Sequence, residues 1–362
     1  MMSRRVAALL KSRGPYPLAK KYDVKESEIV NLASNESPYG PSPRVLKVLA
    51  EELNFIGRYP DPSARRLKQA IARYLGVGPE CLTIGNGSDE LMDLVCKAFL
   101  NQGDRVLIPI PTFELYEISV RLYGAKPVFF NLPPPEFGWP ADGLGRVARG
   151  TKLAFLGRPN NPTGNGVGLD LLKQIQKSCG LVVLDEAYVE FAEGSAAKLA
   201  AKEKNLVVLR TFSKAFGLAG LRVGYAVGNP KLVEVMERVR APFNVNRLAQ
   251  AAALAALKDL PYLRKVVGAI KQGRAYLFGE LGRVGLRVLP SEANFLTVDV
   301  SRWKMKSTGF CDMLARRGIF VRDLSGFKGA GENYVRITVG TPQQNKKLVV
   351  GLKKLKEGKK WS

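Results

Sequence analysis

Four short apolar runs, each cut off by a loop of polar residues and glycine, set the tightest limit on how this chain can fold. Residues 81–84 lead into Gly85-Asn86-Gly87-Ser88-Asp89-Glu90, and residues 153–157 into Arg158-Pro159-Asn160-Asn161-Pro162-Thr163-Gly164. Residues 181–184 lead into Asp185-Glu186-Ala187-Tyr188, and residues 206–209 into Arg210-Thr211-Phe212-Ser213-Lys214. Runs this short and this uniformly apolar read as strands buried on both faces. Strand-like and helix-like segments alternate from residue 105 to residue 184, which is the βαβ pattern of an α/β fold with a mostly parallel sheet. Such sheets bind ligands beyond the carboxyl ends of their strands, so the four loops are where chemistry belongs.

The last loop carries the most reactive group. Lysine is a nucleophile only when deprotonated, and a partly desolvated site beside another cation lowers its pKa toward that state. Arg222 supplies the cation, and with the Thr211 and Ser213 hydroxyls it suits a phosphate beside Lys214. A Schiff-base lysine next to a phosphate clamp suggests pyridoxal phosphate (PLP), whose ring is an electron sink. The plain alternative is a surface Ser-Lys pair in a glycine-rich loop. Asp185 follows four apolar residues, where a carboxylate needs a cationic partner, and a pyridinium nitrogen would serve. Asn161 and Tyr188 suit the phenolic oxygen of the same ring; for Asp185 a helix cap or a metal ligand stays open. The turn at 85–90, with Ser88 and Asp89, forms an anion site if a helix starts there, or merely caps it. Tyr116, after the strand-like run 105–109, either stacks on a planar cofactor or packs in the core.

Composition removes other classes. Among 362 residues there is no histidine, which excludes Ser-His-Asp and Cys-His catalysis and histidine-based metal sites. Cys81, Cys96, Cys179 and Cys311 form no Cys-x-x-Cys pair, so they read as reduced thiols in a cytoplasmic protein with no metal site. The net charge of +24 is spread along the chain, with one cluster at 353–360, and reads as a solvated surface that steers anionic substrates. A basic nucleic-acid-binding protein is the rival reading from another class. The apolar run 6–10 is too short for a signal peptide core or a membrane span.

The flanks complete the plan. Residues 3–12 have helical spacing and end at a rigid turn carrying Tyr16, and residues 32–41, with Asn35, read as a loop. Helices are expected at 43–53 and 64–75, separated by a proline-rich stretch containing Tyr59. Beyond 227 the pattern turns to helices at 232–239, 249–257 and 263–281, then short strands, of which 319–322 and 334–339 carry Arg322 and Arg336. Each arginine suits a bidentate grip on an anion, or a place on the surface. The expected organisation is an N-terminal arm over 1–30, a large cofactor-binding domain over 31–245 and a smaller α+β domain over 246–362.

Seven blocks in order carry a resemblance over almost the whole chain: Ser34-Asn35-Glu36-Ser37-Pro38-Tyr39-Gly40, Tyr59-Pro60-Asp61, residues 85–90, Asn160 to Gly164, Asp185 to Tyr188, Ser213 to Gly224, and Val335-Arg336-Ile337-Thr338-Val339-Gly340-Thr341. The chain resembles the fold-type I PLP-dependent enzymes and, within them, the histidinol-phosphate aminotransferase family. The resemblance implies that Lys214 is the Schiff-base lysine and proton carrier, that Asp185 pairs with the ring nitrogen, and that Tyr116 stacks on the ring. Asn161 and Tyr188 hold its phenolic oxygen, and Ser88, Asp89, Thr211, Ser213 and Arg222 form the phosphate cup. Tyr59 then reaches that phosphate from a partner subunit, which implies a homodimer with shared active sites. Tyr16, Asn35, Arg322 and Arg336 surround the anionic group of the substrate. The implied reaction is amino transfer from histidinol phosphate to 2-oxoglutarate, in histidine biosynthesis. An aromatic or broad-specificity aminotransferase and a threonine-phosphate decarboxylase are the alternatives on the same fold. Ser37, where the family usually has Asn, and Phe113, where Tyr is common, depart from its pattern and bear on substrate choice.

Overall fold

The computed structural model describes Val6, residues 29–140 and residues 143–358. Apart from Val6, the helix expected over 3–12 lies outside these residues, and so does Tyr16. The first six strands among the described residues are β1 (Val30–Leu32), β2 (Leu82–Gly85), β3 (Arg105–Ile110), β4 (Lys126–Asn131), β5 (Thr151–Gly157) and β6 (Cys179–Asp185). Then follow β7 (Leu206–Thr211), β8 (Gly224–Gly228), β9 (Arg287–Val288), β10 (Phe295–Asp299), β11 (Ile319–Asp323) and β12 (Tyr334–Thr338).

Seven strands form the large sheet in the order β2-β8-β7-β6-β5-β3-β4. Only β8 runs against its neighbours. The apolar runs are apolar throughout because the sheet is covered on both sides. Leu181 and Val183 of β6 point into one core with Leu91, Val95 and Phe155, while Val182 and Leu184 point into the other with Ala154, Leu156 and Val208. Helix Gly87–Phe99 covers the first face, and its apolar Leu91, Met92, Leu94 and Val95 are buried there. Parallel pairing puts the carboxyl ends of β3, β5, β6 and β7 on one edge of the sheet. Thr211 pairs with Gly224, which pairs with Gly85, so the segment entering β8 and the end of β2 meet at that same edge.

The second sheet has the order β1-β11-β12-β10-β9. Its first strand comes from the other end of the chain, since Val30–Leu32 lies parallel to β11 with Leu32 opposite Val321. That strand straddles the boundary expected at residue 30, and it ties the start of the described chain to the C-terminal part. Helix Leu260–Arg283 buries Leu263, Val266, Ile270, Leu277 and Leu281 at helical spacing. The Ala-rich helix Arg247–Leu257 packs closely on helices Pro43–Glu52 and Arg65–Leu75 through buried alanines such as Ala249, Ala252 and Ala256. Lys328, after β11, reaches back to Glu117 of helix Leu115–Leu122 at 2.9 Å, bridging the C-terminal part to the large sheet.

Helix Gly87–Phe99 starts within the 85–90 turn. Gly87-Ser88-Asp89-Glu90 reads as a turn by composition but forms the first helical turn, whose dipole favours the Asp89 and Glu90 carboxylates.

Candidate active site

The loops at the large sheet's carboxyl edge bring most of the expected residues together. Lys214 follows β7 and is half-buried, with Nζ 3.4 Å from the Ser34 carbonyl oxygen and 5.7 Å from the centre of the Tyr188 ring. Burial, helped by the Arg336 and Arg222 cations, brings its amine down from 10.5 to about 8, against the opposing pull of Asp89 and Glu36. A substantial fraction is therefore neutral near physiological pH, as a nucleophile requires.

Asp185, the last residue of β6, is only 7% exposed. Its Oδ2 accepts the Tyr116 hydroxyl at 2.7 Å and its Oδ1 accepts the Ala187 N–H at 2.9 Å. Burial nevertheless pushes the carboxyl up to about 6. Tyr188, three residues on, lies edge-on to Phe295 at 5.2 Å, and its hydroxyl accepts the Asn35 amide at 3.0 Å. Asn35, buried and held at φ +55°, is fixed from the second sheet. Its backbone N–H donates to the Thr338 hydroxyl, its side-chain oxygen accepts from that hydroxyl, and its carbonyl accepts the Asn294 amide, each at 3.0 Å.

The β8 end of the edge forms a cup. The Thr211 and Ser213 hydroxyls lie 2.9 Å apart, and Arg222 reaches the Ser213 hydroxyl at 3.5 Å and the Asp89 carboxylate at 3.1 Å. Two glycines decide whether a phosphate fits here. A Cβ on Gly87, where φ is +80°, would stand 2.6 Å from Arg222 Nη2, and one on Gly224 would stand 2.8 Å from the Ser88 amide nitrogen. Bare backbone at both positions lets the guanidinium, two hydroxyls and the helix N-terminus converge, which is the donor set a phosphate dianion needs. The residues present fit that group.

Arg322 and Arg336 sit directly opposite each other in the antiparallel β11–β12 pair. Arg336 is 6% exposed, lies over the Phe295 ring at 5.4 Å, and donates to the Ala33 carbonyl at 2.6 Å and to the Asn161 side-chain oxygen. Asn161 is thereby joined to the second sheet. Its neighbour Asn160 fastens the loop, accepting the Thr112 hydroxyl at 2.6 Å and donating to the Pro111 carbonyl and the Thr163 hydroxyl.

Tyr116 departs from expectation. Helix Leu115–Leu122 turns its ring inward, where it is 2% exposed and lies face to face with Phe155 at 4.9 Å. Core packing is what the ring does, and its hydroxyl is engaged by Asp185. Phe113, half-buried and edge-on to Tyr116 at 5.8 Å, is the loop's less buried aromatic. Tyr59 is 79% exposed and stacks on Phe243 at 4.6 Å. Sequence reasoning also missed Asn294, Thr112 and the Tyr116–Asp185 bond. Thr338 and Asn160, which hold Asn35 and Thr112, lie in stretches marked by the sequence, but no local pattern assigns their partners. Among the described residues no group of three metal-ligating side chains occurs, and no helix is long and apolar enough to cross a membrane.

The sheet, its loops and the phosphate cradle define a PLP-dependent transferase of fold type I. A family profile described as aminotransferase class I and II matches residues 27–352. The histidinol-phosphate aminotransferase of Methanosarcina mazei is 42% identical over 340 residues, covering 92% of this chain and 89% of that protein. The histidinol-phosphate aminotransferase of Sinorhizobium meliloti, solved in complex with pyridoxal-5'-phosphate, superposes with a TM-score of 0.83 at 29% identity, covering 91% of this chain and 92% of that one. The L-threonine-O-3-phosphate decarboxylase of Porphyromonas gingivalis superposes with a TM-score of 0.79 at 28% identity, covering 91% and 100%. This chain belongs to the histidinol-phosphate aminotransferase family of the class I and II aminotransferases. Its cofactor is PLP.

Proposed function

We propose that this enzyme transfers the amino group of L-histidinol phosphate to 2-oxoglutarate, giving imidazole acetol phosphate and glutamate in histidine biosynthesis. Bound at the sheet edge, PLP supplies the electron sink that makes the donor's α-proton removable. Lys214 Nζ would anchor the cofactor and, as a free amine, would take the proton from the donor Cα. Asp185 keeps the ring nitrogen cationic, and Tyr188 and Asn161 hold the phenolic oxygen. Ser88, Asp89, Thr211, Ser213 and Arg222 carry the cofactor phosphate. Arg322, Arg336, Asn35 and Tyr16 surround the anionic end of the substrate.

The observation that carries the substrate reading is the cross-strand register of Arg322 and Arg336, which sets two arginines opposite each other on neighbouring strands, Arg336 reaching Asn161 and Arg322 lying over the Phe327 ring at 5.6 Å. Two such forks match a dianionic phosphate better than a single carboxylate. The reading extends to a cytoplasmic homodimer in which Tyr59 crosses to the partner's phosphate cup. Its support is that Tyr59, Leu53, Phe55 and Ile56 are large apolar or aromatic side chains left exposed within seven residues of sequence. For the domains we keep an arm ahead of β1, a large domain around the seven-stranded sheet to about residue 245, and a small domain beyond it joined by β1.

A donor panel tests the function. Histidinol phosphate, tyrosine, phenylalanine and threonine phosphate are each supplied with 2-oxoglutarate, and glutamate and carbon dioxide are both measured. Glutamate formation fastest with histidinol phosphate is the expected result. Carbon dioxide release from threonine phosphate without glutamate would replace the reading with the decarboxylase one.

A further inference from the structure

We propose that Tyr116 is a positioning residue for the reaction, whose hydroxyl holds the Asp185 carboxylate ionised and in one orientation for the cofactor's ring nitrogen. The inference rests on the assignment of Asp185 made above. Both carboxylate oxygens are held, Oδ2 by the Tyr116 hydroxyl at 2.7 Å and Oδ1 by the Ala187 N–H at 2.9 Å. The tyrosine is itself immobilised, with its ring parallel to Phe155 at 4.9 Å and edge-on to Phe113 at 5.8 Å. Its hydroxyl is thus delivered with little freedom left to lose.

The surroundings make that donor matter. Burial opposes ionisation of Asp185, as does Asp89 on helix Gly87–Phe99, while Lys214 beyond β7 favours it, and the Tyr188 phenol lies close by. Even with both donors the carboxyl sits at about 6, so the Tyr116 hydrogen bond helps keep it charged at neutral pH. A donor at this point also stops the carboxylate from rotating away from the ring.

Tyr116→Phe removes the hydroxyl and keeps the ring on Phe155. The apoprotein's affinity is measured for PLP and for its 1-deaza analogue, in which carbon replaces the ring nitrogen, from about pH 5 to pH 8.5. Both ligands carry the same phosphate, so its ionisation cancels in their ratio. In the wild type the preference for PLP declines as the pH falls and Asp185 takes up a proton. In Tyr116→Phe that decline moves upward by about one pH unit, the tenfold change that one charge-assisted hydrogen bond carries. In Asp185→Asn the ratio loses its pH dependence, and adding Tyr116→Phe changes it no further. A decline at the same pH with and without the hydroxyl overturns the inference. Equal loss of affinity for both ligands also overturns it, because the tyrosine is then only a packing residue. A wild-type ratio that does not vary with pH overturns the Asp185 assignment instead, and the inference with it.

Discussion

The two halves of the site are built differently. The half proposed for the cofactor is made at one edge of a mostly parallel sheet, where Asp185, Ser88, Ser213 and Lys214 each lie at the end of a buried strand or within a few residues of it. The half proposed for the substrate is made by long-range closure: Asn35 is held by Thr338, 303 residues away in the chain, and by Asn294, 259 residues away. Arg336 links the halves, lying on β12 and donating to Asn161 beyond β5. On the proposed assignment, chemistry common to many substrates is placed by local order, and the residues assigned to the substrate by the docking of a second sheet.

The comparison predicts severe losses in the cofactor half. Lys214→Ala removes both nucleophile and proton carrier, so turnover should fall by at least about 10³-fold while PLP still binds. Single-turnover kinetics on PLP-saturated protein measure this, and borohydride fixation in the wild type should label Lys214 alone. Label at another lysine would break the assignment. Asp185→Asn should follow at about 10²-fold in kcat/KM, since removing one member of a buried ion pair loses roughly 3 kcal/mol. Activity within a fewfold of wild type would show that the ring nitrogen has another partner.

Gly87→Ala is the sharper test of the cradle, because it adds one carbon 2.6 Å from Arg222 Nη2 at a φ of +80°. PLP affinity should drop about tenfold, from about 1–2 kcal/mol of backbone strain and displaced guanidinium. Unchanged affinity would mean that Arg222 does not set the phosphate's place.

A smaller effect concerns stability. The Asp185 carboxyl is raised from 3.8 to about 6, so the folded apoprotein binds a proton there more readily than the unfolded chain does. The buried charge therefore destabilises the fold fully above about pH 6, and the penalty fades as the pH falls from there toward 4. Asp185→Asn should raise the apoprotein's melting temperature at pH 7.5, by about 1–3 kcal/mol in stability, and this gain should vanish near pH 4. A variant less stable at both values would mean that the carboxylate's hydrogen bonds outweigh its burial.

What was legible in the chain follows the same division. The strands β5, β6 and β7 are continuous apolar runs because both their faces are buried, so their ends, and with them Asp185 and Lys214, could be read locally. β1 could not, since Val30-Asn31-Leu32 has only three residues and acquires meaning from β11. An aromatic after a strand suits stacking or core packing alike, and only the family resemblance points Tyr116 at the cofactor ring. Which way the helix turns it depends on Phe155 and Asp185, on two other strands. The arginines were found as cations near strand ends, but their direct opposition needed the β11–β12 register.

The most direct test of the account compares kcat/KM for histidinol phosphate and for unphosphorylated histidinol, each with 2-oxoglutarate, in the wild type and in Arg322→Ala. Charge-assisted hydrogen bonds to the phosphate contribute roughly 1.5–3 kcal/mol each, so the wild type should favour the phosphorylated donor by at least about tenfold. Arg322→Ala should lose most of that preference and keep the wild-type PLP spectrum. Equal use of both donors by the wild type, or tyrosine and phenylalanine far outpacing histidinol phosphate, would contradict it.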